Sequence, residues 1–130
     1  VVTGLDCVNS PIGCGGFSSG SALALQTNWP KVQLYGAEQL NADDVYRSLK
    51  AGRLMPVTRT DTVADGLHTS LGDLTFTIIR NHVKAILTVT EEQILSTMRL
   101  IWERMKLLVQ PSSVVTMAAA LHHSEIFQGI

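Results

Sequence analysis

Two short stretches of this chain carry residue types that could do chemistry. Pro11-Ile12-Gly13-Cys14-Gly15-Gly16 is a glycine loop placed to open a helix. Backbone N–H groups converging there can hold a phosphate monoester, because few side chains obstruct its approach. About one strand–helix–strand unit later comes Glu38-Gln39-Leu40-Asn41-Ala42-Asp43-Asp44. Its carboxylates and carbonyls are the oxygen donors that hard divalent cations such as Mg²⁺ and Ca²⁺ take. Acids near a helix start also suit the helix dipole, so the pattern alone admits an ordinary solvated turn. The remaining reactive side chains are poorly arranged. His122 and His123 are adjacent, which on a helix sets them about 100° apart and spoils a shared zinc. Cys7 and Cys14 are too few for a disulfide framework and are expected to be free thiols in a reducing compartment.

The elements that must position these residues follow from periodicity and punctuation. A strand is expected over 5–10, then the loop, then a helix over 18–28 with Ala22, Leu23 and Leu25 on its inner side. Asn28-Trp29-Pro30 stops that helix, since proline disfavours helix at the preceding residue. A second strand over 32–37 completes a βαβ unit and implies a parallel sheet. A short helix over 42–51 ends at Gly52, a loop-rich stretch fills 53–72, and 74–82 is an ambiguous helix. A third strand over 85–89 precedes Thr90-Glu91-Glu92-Gln93, a capping box. The helix it opens carries Ile94, Met98, Ile101, Met105 and Leu108 as one apolar stripe. Pro111 is expected to end it, and Ser112 or Ser113 to cap a final helix through about 124. The fold class is α/β, a partial parallel sheet flanked by helices.

At 130 residues, 45% hydrophobic and 16% charged, the chain has the size and composition of one globular domain. A net charge of −1 gives no electrostatic case for nucleic acid or an anionic membrane. The longest apolar run, 114–121, is too short to cross a bilayer, and Val1-Val2-Thr3-Gly4 lacks the regions of a signal peptide. A cytoplasmic location is the expectation. The first residue is not methionine, as expected of a processed product or a segment of a longer protein.

From about Leu5 to Ala120 the chain resembles the second half of the pyridoxal-phosphate-dependent serine racemases and the related serine (threonine) dehydratases. The matching blocks are Pro11-Ile12-Gly13-x-Gly15-Gly16, Tyr35-x-Ala37-Glu38, Asn41-Ala42-Asp43-Asp44, Ala64-Asp65-Gly66, Trp102-Glu103-Arg104-Met105-Lys106 and Gln110-Pro111. The resemblance implies a tryptophan-synthase-β-like fold, of which residues 1–130 are a single incomplete segment of the large domain. It further implies a dimer, pyridoxal 5'-phosphate on a lysine, a structural Mg²⁺ or Ca²⁺, and serine as an amino-acid substrate, either racemised or dehydrated to pyruvate and ammonia. By the same resemblance the backbone amides of Gly13, Cys14, Gly15, Gly16 and Phe17 would bind the cofactor phosphate. Glu38, the Ala42 carbonyl and Asp44 would bind the cation, with Asp43 turned elsewhere. Asp6 matches a further acidic position that holds a cation in some relatives. Lys106 matches a lysine that contacts ATP in the animal enzymes, making ATP an implied effector, and Asp65-Gly66 matches a loop beside the cofactor ring.

The sequence departs from the family at several positions. Cys14 stands in a run of glycines, Gln110 stands where relatives usually have glutamate, and Ser112-Ser113-Val114-Val115 replaces a small-residue run. None of Lys31, Lys50, Lys84 and Lys106 matches the lysine that holds the cofactor and moves the α-proton, so the chain alone is not expected to turn over serine and no catalytic residue is assigned. The alternative reading is a non-catalytic, truncated paralogue that pairs with a full-length subunit. A dinucleotide site is a weaker competitor: Gly13-x-Gly15 and Glu38 mimic its fingerprint, but the third glycine falls at Ser18.

Overall fold

The computed structural model describes residues 4–58 and 60–129. Val1–Thr3 of the N-terminal stretch, Arg59 of the loop-rich segment and Ile130 lie outside them. The order is β1 (Cys7–Pro11), α1 (Gly16–Asn28), β2 (Gln33–Gln39), α2 (Asp44–Ala51), α3 (Asp73–His82), β3 (Val83–Val89), α4 (Glu91–Leu100), α5 (Pro111–His122) and α6 (Ser124–Phe127). The three strands form a parallel sheet in the order β1-β2-β3, with Pro11 beside Ala37 and Glu38 beside Thr88. Proline is tolerated at the end of β1 because β1 is an edge strand.

A parallel sheet needs cover on both faces, and the pleat supplies two apolar sets. Tyr35, Ala37, Leu87 and Val89 pack against Ile94 of α4, Ile101, and Val114, Val115 and Ala118 of α5. On the other face Ile12 and Ile86 meet Val45 of α2 and Ile79 of α3, while Leu34 meets Ala22 and Leu25 of α1. Each fully buried Ile or Val adds about 1.5–3 kcal/mol. Phe127 of α6 closes the first cluster edge-on to Tyr35, with ring centroids 5.5 Å apart.

The βαβ order, the parallel sheet and the capping box follow the sequence expectation: Thr90 Oγ1 accepts from Gln93 N–H at 3.2 Å, and Gln93 Oε1 accepts from Thr90 N–H at 2.9 Å. Gly52 ends α2 at φ +70°, as expected. Several expectations are corrected. Leu5 is exposed and β1 starts at Cys7. Leu23 is 45% exposed because the inner face of α1 runs through Ser18, Ala22 and Leu25, leaving Leu23 about a third of a turn away. The apolar stripe stops at Ile101: a five-residue π-helical turn, Ile101–Met105, ends at Lys106 with φ +57°, so Met105 and Leu108 are 53% and 92% exposed. Pro111 therefore does not end that helix but begins α5, at the position where its missing N–H costs nothing. Neither Ser112 nor Ser113 caps α5; Ser112 Oγ instead accepts from Gly66 N–H at 3.0 Å. Val114 and Val115, in place of small residues, are fully buried against the sheet. Among the described residues no helix is long and apolar enough to cross a membrane.

Candidate functional site

The glycine loop joins the carboxyl end of β1 to the start of α1, the end of an open parallel sheet at which ligand crevices form. Gly15 occupies the position before the helix at φ +86° and is buried. A Cβ there would stand 2.8 Å from Ile79 Cδ1 and Leu71 Cδ1 and 2.9 Å from Thr75 Cβ, so both backbone and space demand glycine. A Cβ on Gly13 would meet Thr69 Oγ1 at 2.8 Å, whereas one on Gly16 would meet only Cys14 Sγ at 3.9 Å. Packing thus does not explain Gly16, which borders a cleft of about 220 Å³ with Pro11, Gly13, Cys14, Gly15, Phe17 and the loop residues Gly66, Leu67 and Thr69.

The helix that opens at this cleft has neither a side-chain cap nor an acid in its first turn. Its first backbone bond runs from Ser19 N–H to Gly15 O at 2.8 Å, leaving the N–H groups of Gly16, Phe17 and Ser18 without intrahelical acceptors. A phosphate monoester is the group such an array fits: several uncommitted donors, the positive end of a thirteen-residue helix, and no side chain on Gly16 to fill the cradle. Hydroxyls tie the loop down from below. Ser18 Oγ donates to Pro11 O at 2.9 Å and lies 2.7 Å from Ser10 Oγ, both serines being buried, and Thr75 Oγ1 donates to Cys14 O at 2.8 Å. Sequence reasoning missed all three. Ser10 and Ser18 gave no signal beyond being small, and Thr75 is 61 residues from its partner. A larger hollow of about 340 Å³ lies between Leu25, Pro30, Leu34 and His82. It sits at the C-terminal end of α1, where carbonyls rather than N–H groups are left over.

Glu38 and Asp44 are 1% and 2% exposed. Glu38 Oε1 accepts from Val45 N–H at 3.0 Å and its Oε2 from Tyr46 N–H at 2.9 Å, so Glu38, from the end of β2, caps α2. Burial raises its pKa to about 8 against the two backbone bonds, and Asp44 and Asp43 push it the same way. Burial also raises the Asp44 carboxyl, whose Oδ2 accepts from Leu71 N–H at 3.2 Å. Ala42 is buried in the 3₁₀ turn between them. Asp43 is turned elsewhere, to Arg47 Nε at 2.8 Å. Each carboxylate oxygen holding one N–H retains a second lone pair, so the chemistry of these donors suits a hard cation, whose charge would favour the ionised form of both buried carboxyls.

Apart from Gly66, the other candidates are separate from the cleft. Lys106 is exposed on its left-handed turn, and the Lys50 ammonium lies 5.9 Å from the Tyr46 ring centroid. None of the four lysines borders the cleft. Gly66 does border it, but its N–H is committed to Asp65 Oδ1 at 2.9 Å and Ser112 Oγ at 3.0 Å. Gln110 is exposed at the start of α5. His123 Nε2 is 2.9 Å from Thr88 O and His122 is exposed. Among the described residues no three His, Cys, Asp or Glu side chains are grouped for a metal.

Comparison with known proteins bears on the family and the fold. Residues 3–129 match the family model described as pyridoxal-phosphate dependent enzyme. The β-hydroxyaspartate dehydratase of Paracoccus denitrificans is 44% identical over 98% of this chain, and human serine racemase 43% identical over 97%. The crystal structure of serine racemase from Dictyostelium discoideum superposes with a TM-score of 0.86 at 41% identity, over 95% of this chain. The chain spans 41%, 37% and 39% of the lengths of these three relatives, respectively. With the family match over residues 3–129 and identity above 40% over nearly its whole length, the chain belongs to the pyridoxal-phosphate-dependent enzymes.

Proposed function

We propose that this chain is the phosphate-holding part of a pyridoxal-phosphate-dependent serine racemase or serine (threonine) dehydratase. The observation that carries the reading is the uncapped start of α1, whose unpaired N–H groups belong to residues beside a cleft bordered by Gly13, Cys14, Gly15, Gly16 and Phe17. These amides hold the phosphate, and the hydroxyls of Ser18 and Thr75 keep the loop in shape for it. Pyridoxal phosphate, when bound, supplies the electron sink that makes the α-proton of an amino acid removable.

Glu38, the Ala42 carbonyl and Asp44 hold Mg²⁺ or Ca²⁺, which stabilises the turn between β2 and α2 rather than taking part in the reaction. Lys106 is the contact for ATP as effector. Serine is the substrate of the whole protein, which works as a dimer in the cytoplasm. Because no lysine borders the cleft, this stretch alone does not turn over serine.

The test is equilibrium titration with pyridoxine 5'-phosphate and with pyridoxine, which lack the aldehyde that reacts with any lysine. Charge-assisted bonds from the loop predict roughly 10- to 100-fold tighter binding of the phosphorylated compound. Equal affinities would overturn the phosphate-loop reading.

A further inference from the structure

Thr75 is separated from the glycine loop by 61 residues, yet it touches both sides of one peptide unit in it. Its hydroxyl donates to Cys14 O at 2.8 Å, and its Cβ lies where a Cβ on Gly15 would come within 2.9 Å. The hydroxyl is itself oriented: Gly72 N–H donates to Thr75 Oγ1 at 3.1 Å, which leaves the hydroxyl hydrogen for acceptors, with Cys14 O nearer than Gly72 O at 3.1 Å. A trans peptide unit is planar, with its C=O and N–H on opposite sides, and the described chain has no cis peptide bond. Holding the Cys14 carbonyl toward α3 therefore turns the Gly15 N–H away from α3. That N–H has no acceptor among the described residues. Without the hydroxyl, the Cys14–Gly15 unit loses the hydrogen bond that holds its plane, and glycine accepts the φ values that a rotation would bring.

We infer that Thr75 is a positioning residue for phosphate recognition: by fixing the Cys14–Gly15 peptide plane it aims the Gly15 N–H at the phosphate of the cofactor. The inference rests on the phosphate-loop reading and adds to it a residue outside the loop that sets its affinity for phosphorylated ligands. Ser10 and Ser18 hold the two ends of the loop, whereas Thr75 holds its middle.

The experiment uses the full chain and two variants, T75V, which keeps the branched shape without the hydroxyl, and T75S, which keeps the hydroxyl. Each is titrated with pyridoxine 5'-phosphate and with pyridoxine. T75V is expected to weaken the phosphorylated compound by roughly 3- to 10-fold, the worth of one hydrogen bond, and to leave pyridoxine unchanged. T75S is expected to stay near the unaltered chain. Equal loss of both compounds, or no loss of either, overturns the positioning role while a preference for phosphate in the unaltered chain keeps the loop reading. If the unaltered chain shows no preference, the loop reading fails and this inference with it. A second measurement does not depend on the folding of a variant. Titrating the unaltered chain with inorganic phosphate should move the Gly15 amide proton resonance downfield together with those of Gly16 and Phe17. A Gly15 resonance that stays in place while the other two move overturns the inference.

Discussion

Replacing Gly15 by alanine should be the most damaging single-methyl change in the loop, and the structure says by how much. Two costs add. At φ +86° an L-residue is in the left-handed region, at about 1–2 kcal/mol. The new Cβ would also stand 2.8–2.9 Å from Ile79 Cδ1, Leu71 Cδ1 and Thr75 Cβ, and overpacking a filled site costs about 1–3 kcal/mol more. Gly52 is the internal control. It lies at φ +70° after α2 with nothing within 4 Å of a built Cβ, so alanine there meets the backbone cost alone. G15A should therefore cost about 2–5 kcal/mol and G52A about 1–2. For a chain of 130 residues the loss in melting temperature is of order 10 °C for G15A and about 5 °C for G52A. Thermal unfolding by circular dichroism reads both at one pH and salt concentration. If G15A melts within a degree of G52A, Gly15 is not packed as described and the argument for its necessity collapses to backbone alone.

Three further outcomes follow from the geometry. The Glu38 carboxyl has a pKa raised from 4.5 to about 8 in the folded chain. Between those values the folded state keeps a proton that the unfolded state has released, so the Glu38 contribution to stability is fully present below 4.5 and is lost as pH rises toward 8. E38Q should flatten that slope, and millimolar Mg²⁺ or Ca²⁺ should reverse it by favouring the ionised form; a slope unchanged in E38Q would count against Glu38 as its source. Cys14 is exposed at the cleft and Cys7 is half-buried in β1. N-ethylmaleimide should therefore modify Cys14 first, and pyridoxine 5'-phosphate should slow that reaction, as mass spectrometry of the labelled chain would show; equal labelling with and without it would place the ligand elsewhere. T90A removes the hydroxyl that caps α4 and should cost about 1 kcal/mol in chemical denaturation; a loss of under a few tenths would mean that Gln93 and solvent carry the cap.

What the sequence determined by itself was local. The glycine loop was legible because a positive φ and a helix start leave few residue types to choose from. The capping box at Thr90 was legible because both partners lie within one turn. The stop at Gly52 and the βαβ order were legible for the same reason, and the block resemblance carried the family. The stripe from Ile94 through Leu108 was misread past Ile101, since periodicity continues whether or not the backbone does, and only the reversal at Lys106 ends it.

Tertiary structure decided what holds the site. Glu38 looks like any acid before a helix, yet the end of β2 delivers it beneath α2, where two amides take both oxygens and burial keeps its proton on. Thr75 and Ser112 look like helix-start hydroxyls, yet they anchor Cys14 and Gly66 at distances of 61 and 46 residues along the chain. Spacing in a sequence encodes contacts within a turn or two. Contacts across the sheet depend on which helix packs where, and that was set by the two apolar faces of β2 and β3, not by the polar residues that came to meet at their ends.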